Sequence, residues 1–218
     1  MRPQPEPKHR VECIRIDVTR VFTLADNSQL RRELRQTRQS LTPADLHEAN
    51  NRLFDQLVQE RTFLNAKRVA AYVGSKGEID PMPLLQIAHD MGKQCYLPVL
   101  HPFLAGRLWF ARWSPQHDMR FNHFNIPEPV FRAAECCAPQ FLDLVLVPLL
   151  GFDKHCHRLG MGGGYYDRTL AYRRRRHTWK GPALFGLAHE HQRVEALQVQ
   201  PWDISLDRIY TGTAVYSQ

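Results

Sequence analysis

Apolar residues change their spacing several times along the chain, and each change marks an expected element. Leu30 and Leu34 stand one helical turn apart within Gln29–Arg38, among Arg31, Arg32, Arg35 and Arg38, which predicts a short basic amphipathic helix. Thr42-Pro43-Ala44-Asp45 predicts the start of a second helix. Thr42 can cap the free N–H groups, Pro43 has the φ of a first helical residue, and Asp45 sits at the positive end of the dipole. Leu46, Ala49, Leu53, Leu57 and Val58 then form one stripe. Arg68–Val73 is short, apolar and partly β-branched, so it reads as a buried strand; the loop Gly74–Gly77 follows. Asp80 and Pro81 open a helix that stops at Gly92. Further strands are predicted at Gln94–Leu100, Leu108–Trp113 and Ala183–Ala188, and a helix over Gln192–Leu197. Leu142–Phe152 is apolar almost throughout, as a strand covered on both faces must be. Strand–helix alternation around such a strand predicts an α/β fold: a three-layer α/β/α sandwich with a largely parallel sheet.

The 218 residues suit one domain over 27–218, preceded by a Pro-rich, charged extension at 1–26 expected to be poorly ordered. No apolar run approaches the ~20 residues that cross a bilayer. Charges from Arg2 to Arg20 interrupt any secretory h-region, so a cytoplasmic protein without membrane contact is expected. The five cysteines (Cys13, Cys95, Cys136, Cys137, Cys156) lack C-x-x-C spacing, which favours reduced thiols over a disulfide framework or zinc site. A net charge of +7 points to an anionic partner: nucleic acid, nucleotide or polycarboxylate. The densest cluster, Arg173–Arg176 followed by His177 and Lys180, reads as a solvated helix end.

The strongest strand runs into a loop that concentrates the candidate chemistry. Gly160, Gly162, Gly163 and Gly164 carry a high cost in backbone entropy, and suit a backbone that turns several N–H groups toward one anion. A helix beginning near Tyr165 would add its positive end, and Arg158 a cation suited to phosphate. There is no Gly-Lys-Ser/Thr, so the loop is not a Walker A motif; Tyr165 occupies the position that a dinucleotide fingerprint requires for glycine. A flexible turn is the bland alternative. His155-Cys156-His157 suggests a metal site, but adjacent ligands on one loop cannot close a tetrahedron without a distant partner. Cys136-Cys137 reads as a pair of packed or exposed thiols.

The string from Arg158 to Asp167, R-L-G-M-G-G-G-Y-Y-D, preceded by V-P-L-L-G-F-D, resembles the signature of the 5-formyltetrahydrofolate cyclo-ligases. Further blocks share the likeness in order over about 27–212: Leu30–Arg35, Arg68–Val73 with Glu78, Tyr96–Phe103, Asn125–Pro129 and Pro201–Asp207. The resemblance implies a CoA-transferase-like α/β fold with ATP and folate bound side by side. It implies that Arg31, Arg158, Leu159, Gly160, Met161, Gly162, Gly163, Gly164, Tyr165 and Tyr166 contact ATP, with Arg158 and Tyr166 catalytic. Val73, Glu78, Phe124 and the stretch from Met161 to Tyr165 would contact the folate, and Asp167 and Asp203 would hold Mg²⁺, with Asp207 a competitor for the second place. Asn27 stands where the family carries a nucleotide-contacting lysine, so ATP would lean on Arg31 or Arg35. The implied enzyme is a monomer acting on small molecules.

The implied reaction fits the chemistry. A formyl group on N5 is an amide, so its oxygen must be activated before N10 can attack; transfer of the γ-phosphoryl group of ATP does this mainly through positioning and charge neutralisation. One alternative is a catalytically silent relative that binds nucleotides or RNA through its basic surface, although no recognised nucleic-acid module is present. Another is a sugar-phosphate isomerase or acyl-transferase, which would need a glutamate base between Phe152 and Asp167, where none occurs. Arg173–Arg176 could instead grip a polyglutamate tail.

Overall fold

The computed structural model describes residues 26–75, 77–175 and 181–218. The expected extension at 1–26 lies outside the described residues apart from Asp26, as do Cys13, Arg176, His177 and Lys180. In chain order the helices and strands are α1 (Asp26–Gln39), α2 (Pro43–Leu57), α3 (Arg61–Asn65), β1 (Arg68–Ala70) and α4 (Met82–Asp90). Then come β2 (Gln94–Leu100), β3 (Leu108–Trp113), β4 (Met119–Phe121), β5 (Pro127–Pro129) and β6 (Cys136–Cys137). The last are β7 (Leu144–Pro148), β8 (Gly151–Phe152), β9 (Arg158–Leu159), α5 (Tyr165–Leu170), β10 (Ala183–Leu187), β11 (Arg208–Tyr210) and β12 (Val215–Ser217). No helix among the described residues is long and apolar enough to cross a membrane.

The main sheet has eight strands in the order β12-β11-β10-β7-β1-β2-β3-β6. Strands β11, β10, β7, β1 and β2 run parallel, while β12, β3 and β6 join antiparallel at the flanks. Central β7 shows why its sequence is apolar throughout. Leu144 and Leu146 face a core shared with Leu53 and Leu57 of α2, Phe63 of α3 and Leu84 of α4. Val145 and Val147 face the opposite core, shared with Leu170 of α5, Phe152 and Leu206. The predicted sandwich is therefore present, with its parallel centre between two covered faces.

Two expected elements differ. The strand predicted over Leu142–Phe152 is broken: β7 ends at Pro148, and Gly151–Phe152 turns away to pair antiparallel with Arg158–Leu159. Gly151 is needed there because a Cβ would lie 2.6 Å from the Leu34 side chain. The helix predicted over Gln192–Leu197 is a short 3-10 turn, Glu190–Gln192, followed by irregular chain. Buried Gln192 donates to the carbonyls of Leu149 and Leu150, and Val194 N–H donates to Phe152. The apolar spacing there reflects docking onto β8.

The basic helix α1 forms as expected. Thr42 caps α2, exchanging hydrogen bonds with Asp45. Leu30 and Leu34 bury α1 against Leu150, Leu159 and Val194, a small core separate from the main two. Replacing Leu34 with Ala should cost about 3 kcal/mol in urea denaturation, as for other fully buried leucines. His189 is also buried, its Nε2 against the Gly77 carbonyl, and burial lowers its pKa from 6.5 to about 4. The unfolded chain therefore binds the proton more readily. Stability should fall by roughly 3 kcal/mol as pH drops from about 6.5 through about 4, and His189→Gln should flatten that slope in denaturation curves.

Candidate active site

A cavity of about 710 Å³ opens where β9, the glycine loop and α5 meet α1. Its walls include Arg31 of α1, Gly160, Gly162 and Gly164, Asp167 and Arg168 of α5, and Trp202 and Asp203 from the chain before β11. That volume suits a nucleotide-sized ligand. Arg31 reaches across from α1 and its Nε donates to the Gly160 carbonyl at 3.0 Å, joining the apolar docking of α1 to the loop. Gly162 has φ +102° and Gly164, the residue before α5, has φ +62°; both need glycine for their backbone. Gly160 does not. A Cβ there would meet no protein atom within 4 Å, so packing gives no reason for its absence. The space belongs to the cavity.

Arg158 is engaged, and so is not a free fork at the mouth of the loop. Its Nη2 donates to Asp167 Oδ1 at 2.6 Å and its Nη1 donates to the Ile204 carbonyl, with the side chain 5% exposed. Asp167 Oδ1 also accepts the Ile204 N–H at 3.1 Å. This closed set fixes the chain beside Asp203, whose Oδ2 accepts the Gln200 N–H. Both aspartates line the cavity; Asp207 does not, because it pairs with Arg173 and accepts the Leu184 N–H.

The predicted site residues fall into two groups. Arg31, Arg158, Leu159, Gly160, Gly162, Gly164, Asp167 and Asp203 line the cavity; Leu159 also packs in the α1 core. Val73, Glu78, Phe124, Met161, Gly163, Tyr165 and Tyr166 are not in its lining. Val73 packs on the α2–α4 core, and Glu78 pairs with Arg38 at 2.9 Å. Phe124, half exposed in the β4–β5 turn, meets Tyr165 edge-on with centroids 5.8 Å apart. The buried Tyr166 hydroxyl has no partner among the described residues, and burial raises its pKa. The Arg158 charge opposes that rise and the Glu78 charge adds to it.

The sequence matches the 5-formyltetrahydrofolate cyclo-ligase family over residues 23–212. The chain belongs to that family. The 5-formyltetrahydrofolate cyclo-ligase of Escherichia coli K12 is 38% identical over 183 residues, spanning 84% of this chain and 98% of that protein. The Haemophilus influenzae protein of the same name is 38% identical over 189 residues, spanning 84% and 96%. The NMR structure of Aquifex aeolicus 5,10-methenyltetrahydrofolate synthetase superposes with a TM-score of 0.74 at 29% identity, covering 88% of this chain and 92% of that one. These findings bear out the resemblance and the fold class.

As a cyclo-ligase relative the chain has its own features. Asn27 lines the cavity, and among the described residues its buried Oδ1 has no partner. Arg31, not Arg35, is the α1 arginine in the wall. No motif assigns a ligand role to Arg107, Arg168 or Trp202, which line the cavity together with His157, whose Nδ1 is held 2.9 Å from buried Asp153. In the His155-Cys156-His157 run Cys156 is buried at a turn with φ +59°, and His157 is held by Asp153. Burial pushes the Cys95, Cys136 and Cys156 thiols up to about 11, so they are poor nucleophiles. Arg173 serves the fold, through Asp207 and the Pro182 carbonyl, while Arg174 and Arg175 line the cavity. Asp167→Ala would strand the buried Arg158, so it should lose about 3 kcal/mol or more in chemical denaturation, with Asp167→Asn milder.

Proposed function

We propose that the chain uses ATP to close 5-formyltetrahydrofolate to 5,10-methenyltetrahydrofolate, releasing ADP and phosphate. The observation that carries the reading is Gly160, a glycine that neither backbone nor packing requires, facing a basic cavity of nucleotide size. Family membership supplies the substrate class.

The triphosphate lies along Gly160–Gly164, where only Met161 carries a Cβ that could obstruct the approach to the backbone. Arg31 and Arg168 balance its charge from α1 and α5, and the Arg158–Asp167 pair keeps the loop in register. The formyl oxygen attacks the γ-phosphorus and ADP leaves. N10 then attacks the formyl carbon, loses its proton, and phosphate departs with the former formyl oxygen. No nucleophilic side chain is needed, since positioning and charge complementarity carry such transfers. Asp167 and Asp203, the acidic side chains of the cavity, fit Mg²⁺, which favours one or two carboxylates beside phosphate oxygens. Bound there, Mg²⁺ would neutralise charge on the phosphates. The folate lies toward Glu78, Phe124 and Tyr165, with Tyr166 at the boundary.

Purified protein mixed with Mg-ATP and 5-formyltetrahydrofolate should show methenyl-folate absorbance only when nucleotide is present. Its absence, with ATP and folate both intact, would sink the reading. Gly160→Ala should raise KM for ATP about tenfold or more through the added Cβ while leaving the melting temperature unchanged.

A further inference from the structure

The last turn of α1 buries an arginine that no motif identifies. Arg38 is 1% exposed, yet only its Nη1 is paired, with Glu78 Oε1 at 2.9 Å. Among the described residues its buried Nε and Nη2 have no partner, and neither has the Tyr166 hydroxyl. Unpaired buried donors are expensive, and an apolar residue would anchor this turn of α1 at lower cost.

The arrangement around Arg38 is tightly fixed. Gly77, at φ +80°, presses on it so closely that a Cβ would lie 2.5 Å from the Arg38 carbonyl oxygen. Glu78 follows directly, its Oε2 accepting the Ser75 N–H at 3.0 Å. His189 closes the other side through the Gly77 carbonyl. The Glu78 side chain is 10% exposed, against 1% for Arg38, so the carboxylate is the open side of the pair. Arg38 shares its helix with Arg31, and Tyr166 directly precedes Asp167; Arg31 and Asp167 both stand in the wall of the nucleotide cavity.

Acceptors on Glu78 beside free donors on Arg38 complement a rigid edge that carries two donors and one acceptor. The pyrimidine edge of a reduced pterin has that pattern: a 2-amino group, N3–H and the 4-oxo oxygen. We propose that Arg38 is a specificity-determining residue for the pterin ring, holding Glu78 through Nη1 and giving an unpaired N–H to the 4-oxo oxygen, while Glu78 accepts from N3–H and the 2-amino group. The inference rests on the folate reading above and adds a ring contact to it.

Calorimetric binding of 5-formyltetrahydrofolate tests this, alongside KM for ATP, in wild type, Arg38→Met, Glu78→Gln and the double variant. The double variant removes both buried charges together, so it should fold even where Arg38→Met alone does not. It should bind the folate about tenfold to hundredfold more weakly than Glu78→Gln, with KM for ATP unchanged. A double variant that binds no worse than Glu78→Gln would overturn the ring contact and leave Arg38 as a clamp on its loop. An equal rise in KM for ATP would overturn it too, as a general loosening of α1. Wild-type protein that neither binds nor turns over the folate would remove the folate reading itself, a result distinct from either.

Discussion

The cavity depends on the ion pair between Arg158 and Asp167, because it is where three separate pieces of chain are joined. Arg158 comes from β9, Asp167 from α5, and both reach the backbone of Ile204. A carboxylate here accepts from a guanidinium and an amide at once, so the buried charges are balanced and directed. Such pairs add little stability over an apolar substitute, but losing one partner is costly. Their value lies in geometry. With Ile204 fixed, Asp203 faces the same space as the glycine loop, although the two aspartates stand 36 positions apart in sequence.

A second constraint comes from α1, which combines two functions on one short helix. Its leucines bind it to the β8–β9 hairpin and Val194, and Arg31 then reaches the Gly160 carbonyl. Apolar packing thus sets the position of a charge. The same helix ends in Arg38, so its two ends serve the cavity and the Glu78 loop respectively.

Much of this was legible in the sequence where local rules and tertiary packing agree. The continuous apolar run of β7 announced a strand between two cores, and the Thr42-Pro43-Asp45 sequence announced a capped helix. The glycine string announced a backbone site. Failures occurred where a distant contact decided the outcome. Pro148 and the approach of Leu34 to Gly151 end the strand early, and Val194 follows β8, not a helical stripe. The choice between Asp203 and Asp207 turned on Arg173, whose reach across to Asp207 no spacing rule foretells. The division between cavity residues and the Glu78–Phe124 group was equally hidden, because motif order along a chain carries no distances.

The margins of the main sheet have a consequence of their own. Its outermost strands, β6 and β12, are only two and three residues long and run against their neighbours. Long bare margins invite another chain to add itself strand by strand, the first step toward fibres. Among the described residues the longer strands lie inside, and margins this brief offer little template for another chain to extend.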